Sequence, residues 1–117
     1  MGYKMARDDY FVIAAKILDY LYRCLKKGVA PDPDRLSPDA LEINESYWSY
    51  IFSNLMESGY IIGVISKRLL GSSEKQVKIQ YNRIQITPAG IEYLMENSTM
   101  KKALETLQTI KDLIPFI

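Results

Sequence analysis

Between Ser37 and Gly59 the chain carries two helix starts and a firm stop, and this punctuation constrains the fold more than anything else in it. Ser37-Pro38 is an N-cap with proline at the first helical position, opening a short helix over about Pro38–Ile43. Asn44 then caps a second helix, "ESYWSYIFSNLME", which Gly59 ends. Projected at about 100° per residue, Trp48, Ile51, Phe52, Leu55 and Met56 form one apolar stripe. Ser46, Tyr50, Ser53 and Glu57 project the opposite way, with Ser49 and Asn54 on the flanks. Directly after the stop, "YIIGVISK" is rich in β-formers and "LGSSE" reads as a turn. In "VKIQY", Val77, Ile79 and Tyr81 alternate with Lys78 and Gln80, as a half-buried strand requires. The alternation slips at Asn82–Arg83 before Ile84 and Ile86 resume it, which predicts a bulge or kink.

Helical patterns flank this unit. Tyr10, Ala14, Ile17, Leu18, Leu21 and Leu25 recur at three- and four-residue steps, predicting a first helix over about Asp9–Lys27 with Gly28 as its stop. The segment "VAPDPDRLSPDA" reads as a loop, because each residue before a proline is pushed towards extended backbone. Thr87-Pro88 starts another helix carrying Ile91, Leu94 and Met95, with Gly90 in its first turn. Asn97 and Ser98 interrupt it, and a last helix is predicted over about Thr99–Ile114 with Leu104, Leu107, Ile110 and Ile114 as its stripe. The order is helix, short helix, helix, hairpin, helix, helix. A helix-turn-helix followed at once by a hairpin is a winged helix, so the expected class is α+β, mainly helical, with a winged helix-turn-helix core. A single domain over 1–117 is expected, with 1–8 as a flexible tail and 99–117 as the C-terminal helix.

Composition narrows the function by what it lacks. The chain has no histidine and one cysteine, Cys24. That removes histidine-based acid–base chemistry, zinc sites built from histidine or several thiolates, and any intrachain disulfide. Cys24 sits in an apolar helical pattern and is read as a small buried hydrophobe. Asp32, Asp34, Asp39 and Glu42 follow no calcium-loop pattern, and no phosphate-cradling glycine motif or nucleophile elbow occurs. No enzyme, cofactor, metal or small-molecule ligand is expected. No apolar run approaches the ~20 residues needed to span a bilayer, and the N-terminus lacks a signal-peptide centre, so the cytoplasm is the expected compartment.

Near-neutrality overall hides strong segmentation. Residues 28–59 carry Arg35 against six acids, for −5, whereas residues 60–86 carry five basic groups against Glu74, for +4. The second helix of the pair contains Glu45 and Glu57 and no lysine or arginine.

At "GYIIGV" (59–64) and "ITPAGIEYLMENSTMKKA" (86–103) the chain resembles the YjcQ family, small winged-helix proteins of prophages and Gram-positive genomes. The resemblance runs from the first helix to "TLQTIKDLI", and departs at the extended N-terminus, the Asp/Pro-rich loop and the final "PFI". It implies a winged helix and a phage or prophage setting, and it implies no catalytic residues.

Two functional readings stand side by side. In the first, the protein binds double-stranded DNA as a regulator. Ser46, Ser49, Tyr50, Ser53 and Asn54 then meet the duplex, while Lys67, Arg68, Lys75 and Lys78 of the wing hold phosphates, with help from Arg23, Lys26 and Lys27. Glu57, on the outward face, opposes this reading. In the second, the same scaffold is a protein-interaction module, favoured by nine tyrosines, which supply contact area at low entropic cost. For Leu104, Leu107, Ile110 and Ile114 a dimer contact and simple packing across the first helix are equally open.

Overall fold

The structure is a computed structural model and describes residues 5–68 and 75–115. It is α+β and mostly helical. Helix α1 (Tyr10–Lys27) is followed by a 3-10 turn (Pro33–Arg35), α2 (Pro38–Leu41) and α3 (Glu45–Glu57). Strands β1 (Ile61–Ile62), β2 (Val64–Arg68), β3 (Lys75–Ile79) and β4 (Gln85–Ile86) come next, then α4 (Pro88–Glu96) and α5 (Ser98–Ile110).

The starts lie where the capping residues place them. Asp9, Ser37, Asn44 and Thr87 each accept a backbone N–H from the first turn of the helix they precede, from Phe11, Ala40, Tyr47 and Gly90 respectively. Gly28 ends α1 in the left-handed region at φ 67°, where a side chain is costly. The Asp/Pro-rich stretch is not wholly extended. Asp32 accepts from the Asp34 N–H and turns 33–35 into one 3-10 turn, which delivers Leu36 to the core.

Helix α1 is the hub. It packs against α3, α4, α5 and β4, so its buried set is wider than one stripe and includes Val12, Ile13, Ala15, Tyr20 and Cys24. Leu25, assigned to that stripe, is exposed, because it lies beyond the reach of these partners at the helix end.

The expected single strand through Gly63 is broken there. β1 pairs with β4 (Ile61↔Ile86), and β2 pairs with β3 (Val64↔Ile79), both antiparallel. Gly63, at φ 85°, joins the two ladders, and a Cβ on it would lie 2.5 Å from Ile84 Cα. On the opposite strand residues 80–84 turn back on themselves, the N–H groups of Arg83 and Ile84 both donating to the Gln80 carbonyl. The phase slip at Asn82–Arg83 is this turn.

The last helix ends earlier than its apolar pattern. Lys111 takes a left-handed conformation at φ 56°, and the Asp112 N–H bonds back to the Leu107 carbonyl. That geometry costs a non-glycine residue about 1–2 kcal/mol. It is offset by what the reversal brings together. Asp112 meets the buried Lys16 ammonium at 3.2 Å, and Ile114 enters the core while its carbonyl accepts from Arg23 at 2.5 Å. Nor are residues 5–8 a loose tail. Met5 is buried, Arg7 pairs with Asp112 at 3.3 Å, and the Asp8 carbonyl accepts from the Tyr47 hydroxyl at 2.7 Å. Residues 1–4 lie outside the described residues.

Candidate interaction surface on α3

Helix α3 is held by its apolar stripe. Trp48, Ile51, Phe52 and Leu55 are buried, and Trp48 donates from Nε1 to the Leu36 carbonyl at 2.7 Å. The five α3 residues nominated for DNA do not form one open face. Ser46 and Tyr50 are exposed, Ser49 and Asn54 are half-buried, and Ser53 is 2% exposed. The placement of Ser53 corrects the expectation from helical projection. The hairpin folds back onto this flank of α3, and Ser53 Oγ lies 3.1 Å from Ser66 Oγ of β2. A serine used this way is not available to a duplex.

The same contact orients the hairpin. Val64, Ser66, Val77 and Ile79 alternate onto the face packed against α3, so Ile65, Lys67, Gln76 and Lys78 occupy the opposite, exposed face. Lys67 and Lys78 are therefore diagonal neighbours pointing away from α3. Arg68 and Lys75 face each other in the register, and their side chains lie outside what the structure describes. Two of the nominated basic groups of α1 also have partners on the same helix. Arg23 donates to Asp19 at 2.8 Å, and the Lys26 ammonium sits 4.4 Å from the Tyr22 ring centre.

What adjoins the exposed part of α3 is aromatic. Tyr10, at the first position of α1, meets Phe11 edge-on at 5.2 Å and Tyr50 at 6.0 Å. Tyr60 and Tyr93 stack at 4.2 Å, nearly parallel, and join the end of α3 to α4. Gly90 makes this approach possible, since a Cβ there would lie 2.2 Å from the Tyr60 carbonyl oxygen. Electrostatics report the same clustering. Burial first, then the neighbouring phenols of Tyr93, Tyr50, Tyr47 and Tyr60, push the Tyr10 pKa up to about 12. Tyr47 is also raised, by burial and then by Asp9 and Asp8. Tyr50 remains 61% exposed and Phe11 37%. The sequence signal for this surface was the tyrosine count. Nothing local in the sequence joins Tyr10 and Phe11 to Tyr47 and Tyr50.

The remaining nominated residues divide. Leu107 on α5 and Ile114 beyond its end are buried within the chain, while Leu104 is half-buried and Ile110 is 39% exposed. Leu107 and Ile114 consequently cannot reach a second copy. The acids of the loop are engaged individually, Asp32 with Arg35 at 3.5 Å and Glu42 with Arg7 at 3.7 Å. Among the described residues no group of three or more metal-ligating side chains comes together, and no helix is long and apolar enough to cross a membrane. An open groove of about 700 Å³ runs between the end of α1 and the kinked strands, lined among others by Leu25, Val29, Ile62 and Arg83.

A family model described as YjcQ protein matches residues 15–113, most of the chain. The chain belongs to the YjcQ family. The match takes in α3, the strands, α4 and α5, and with them Tyr47, Tyr50, Tyr60 and Tyr93, whereas Tyr10 and Phe11 precede it. No curated protein and no solved structure matches the chain.

Proposed function

We propose that this YjcQ-family protein is a non-enzymatic winged-helix module, of the phage or prophage setting its resemblance implies, that docks a protein partner on the exposed face of α3. The winged-helix reading is supported by α2 and α3 in close succession and by a β2–β3 hairpin packed on α3. One observation carries the choice of a protein over DNA. The open half of α3 continues into exposed aromatic rings beside Asp8 and Asp9, and α3 carries no cation. Phosphate oxygens meet no cation on the helix itself, whereas Tyr and Phe at low entropic cost are what protein interfaces favour. A photo-crosslinker placed at position 50 in producing cells is expected to yield a protein adduct, with little at the exposed position 108 of α5. A nucleic-acid adduct at position 50 would overturn the reading.

A second reading rests on the other exposed face. Lys67 and Lys78 project together from the hairpin and suit phosphates of duplex DNA, with Arg68 and Lys75 at the adjoining register positions. Four neutralised phosphates give a log–log salt slope of about −3.6. Under this reading, changing all four residues to alanine abolishes retention of mixed duplex fragments. Equal retention by wild type and variant would remove it.

A further inference from the structure

We infer that the segment docking on the α3 face is cationic, an arginine- or lysine-rich stretch of the partner protein. The inference rests on the protein-docking reading above and names the chemistry of the same surface. Three features of the surface specify it.

The first is the rings. Tyr50 is the most exposed large hydrophobic side chain described, at 61%, and it meets Tyr10 in a T-shaped contact with ring centres 6.0 Å apart. Phe11 adds a second exposed ring through its edge contact with Tyr10. An aromatic face carries negative quadrupolar charge and attracts a guanidinium or ammonium placed over it.

The second is the carboxylates around those rings. Asp8 and Asp9 lie close enough to act on the ionisation of the Tyr47 phenol, and Tyr47 is anchored to the Asp8 carbonyl. The third is that the described basic residues closest in sequence to these rings are absent or turned elsewhere. Residues 36–66 contain no lysine or arginine, and Arg7, the nearest basic residue in sequence to Asp8, is turned to Glu42 and Asp112.

These features discriminate among occupants. A purely apolar helix would desolvate Asp8 and Asp9 without compensation, and an anionic partner would meet only like charge. A cationic segment satisfies rings and carboxylates together. Arginine suits the site best, because its planar guanidinium stacks on an aromatic ring and donates to a carboxylate at once.

The test uses the full chain and a fluorescently labelled oligoarginine peptide, with oligoglutamate and a short DNA duplex as comparison probes, read by anisotropy. Oligoarginine is expected to bind and to weaken with salt, while oligoglutamate does not bind and any duplex binding is indifferent to Tyr50→Ala. Tyr50→Ala should weaken it about fivefold, with Tyr50→Phe near wild type, because the ring and not the hydroxyl makes the contact. Asp8→Asn should also weaken it, and Glu105→Gln on the exposed side of α5 should not. Asp9 is left intact because it caps α1. Absence of oligoarginine binding, or binding indifferent to both Tyr50→Ala and Asp8→Asn, overturns the inference. A position-50 adduct to a protein whose contact segment lacks lysine and arginine overturns it while leaving the docking reading standing. A concentration-dependent dimer lost in Tyr50→Ala would replace the partner with a second copy and overturn it as well.

Discussion

Trp48 is where α3, the 3-10 turn and the core are fastened together, so its replacement measures how the helix is held. The side chain is 8% exposed, packs on Phe52 with ring centres 4.9 Å apart, and donates to the Leu36 carbonyl at 2.7 Å. Trp48→Ala removes a buried aromatic, a change that costs ~3–5 kcal/mol through lost transfer energy and the cavity left behind. It also strips a buried carbonyl of its donor, which adds ~1 kcal/mol or more. A total of about 4–6 kcal/mol is a large share of the ~5–15 kcal/mol that holds a domain of this size. With a urea slope of ~1.5 kcal/mol per molar, the midpoint should fall by roughly 3 M or more. Far-ultraviolet circular dichroism is the proper readout, since the variant lacks the only tryptophan. Trp48→Phe separates the contributions. It keeps most of the packing and loses the hydrogen bond, so about 1–3 kcal/mol is expected. A Trp48→Ala midpoint within ~0.5 M of wild type would refute the reasoning and place the apolar stripe of α3 outside the core.

Gly90→Ala should destabilise the domain strongly, because its Cβ would meet the Tyr60 carbonyl oxygen at 2.2 Å, and backbone there cannot yield without parting α3 from α4. Thermal melting unchanged from wild type would contradict that packing. Tyr10 should titrate near pH 12 in an ultraviolet titration, well above the model-peptide value of a phenol. Its pKa is raised on folding, so its contribution to stability is complete below pH 10, the model-peptide value, and is lost as the pH climbs towards 12. Tyr10→Phe should flatten that part of the stability profile. With only Ile110 and part of Leu104 outward on α5, the chain should sediment as a monomer at high micromolar concentration. A dimer dissolved by Ile110→Lys would restore α5 as an interface.

Legibility in the sequence followed the range of the interaction. Caps act within a few residues, so Ser37, Asn44 and Thr87 could be read directly, as could the slip at Asn82–Arg83. Ser53 could not, because helical projection assigns a face relative to one neighbour, and here a second neighbour, the hairpin, covers the opposite flank. The end of α5 was hidden for a similar reason. Its apolar repeat continues to Ile114, but the bend at Lys111 answers to Lys16 and Arg23 on α1, far away in sequence. The site was the least legible part. Tyr10 and Phe11 become functional candidates only because α1 sets them beside Tyr50.

The charge segmentation of the chain takes on physical meaning in this arrangement. The acidic stretch and the basic hairpin are adjacent in sequence, and a reader of sequence alone would place them side by side on one surface. The register of β2 and β3 separates Lys67 and Lys78 from that stretch, since Ser66 and its companions turn inward to α3 while these two lysines turn outward. The aromatic face and the lysine face should therefore behave as independent sites, and perturbations at distant, unlinked sites add. Neutralising Lys67 and Lys78 should leave oligoarginine binding to the Tyr50 face unchanged, and Tyr50→Ala should leave any duplex retention by the hairpin unchanged. A double variant whose loss in either assay exceeds the sum of the single losses would show that the two faces form one continuous surface. Glu57 would then face the same ligand as the lysines, and a single nucleic-acid or protein partner would have to satisfy both signs of charge.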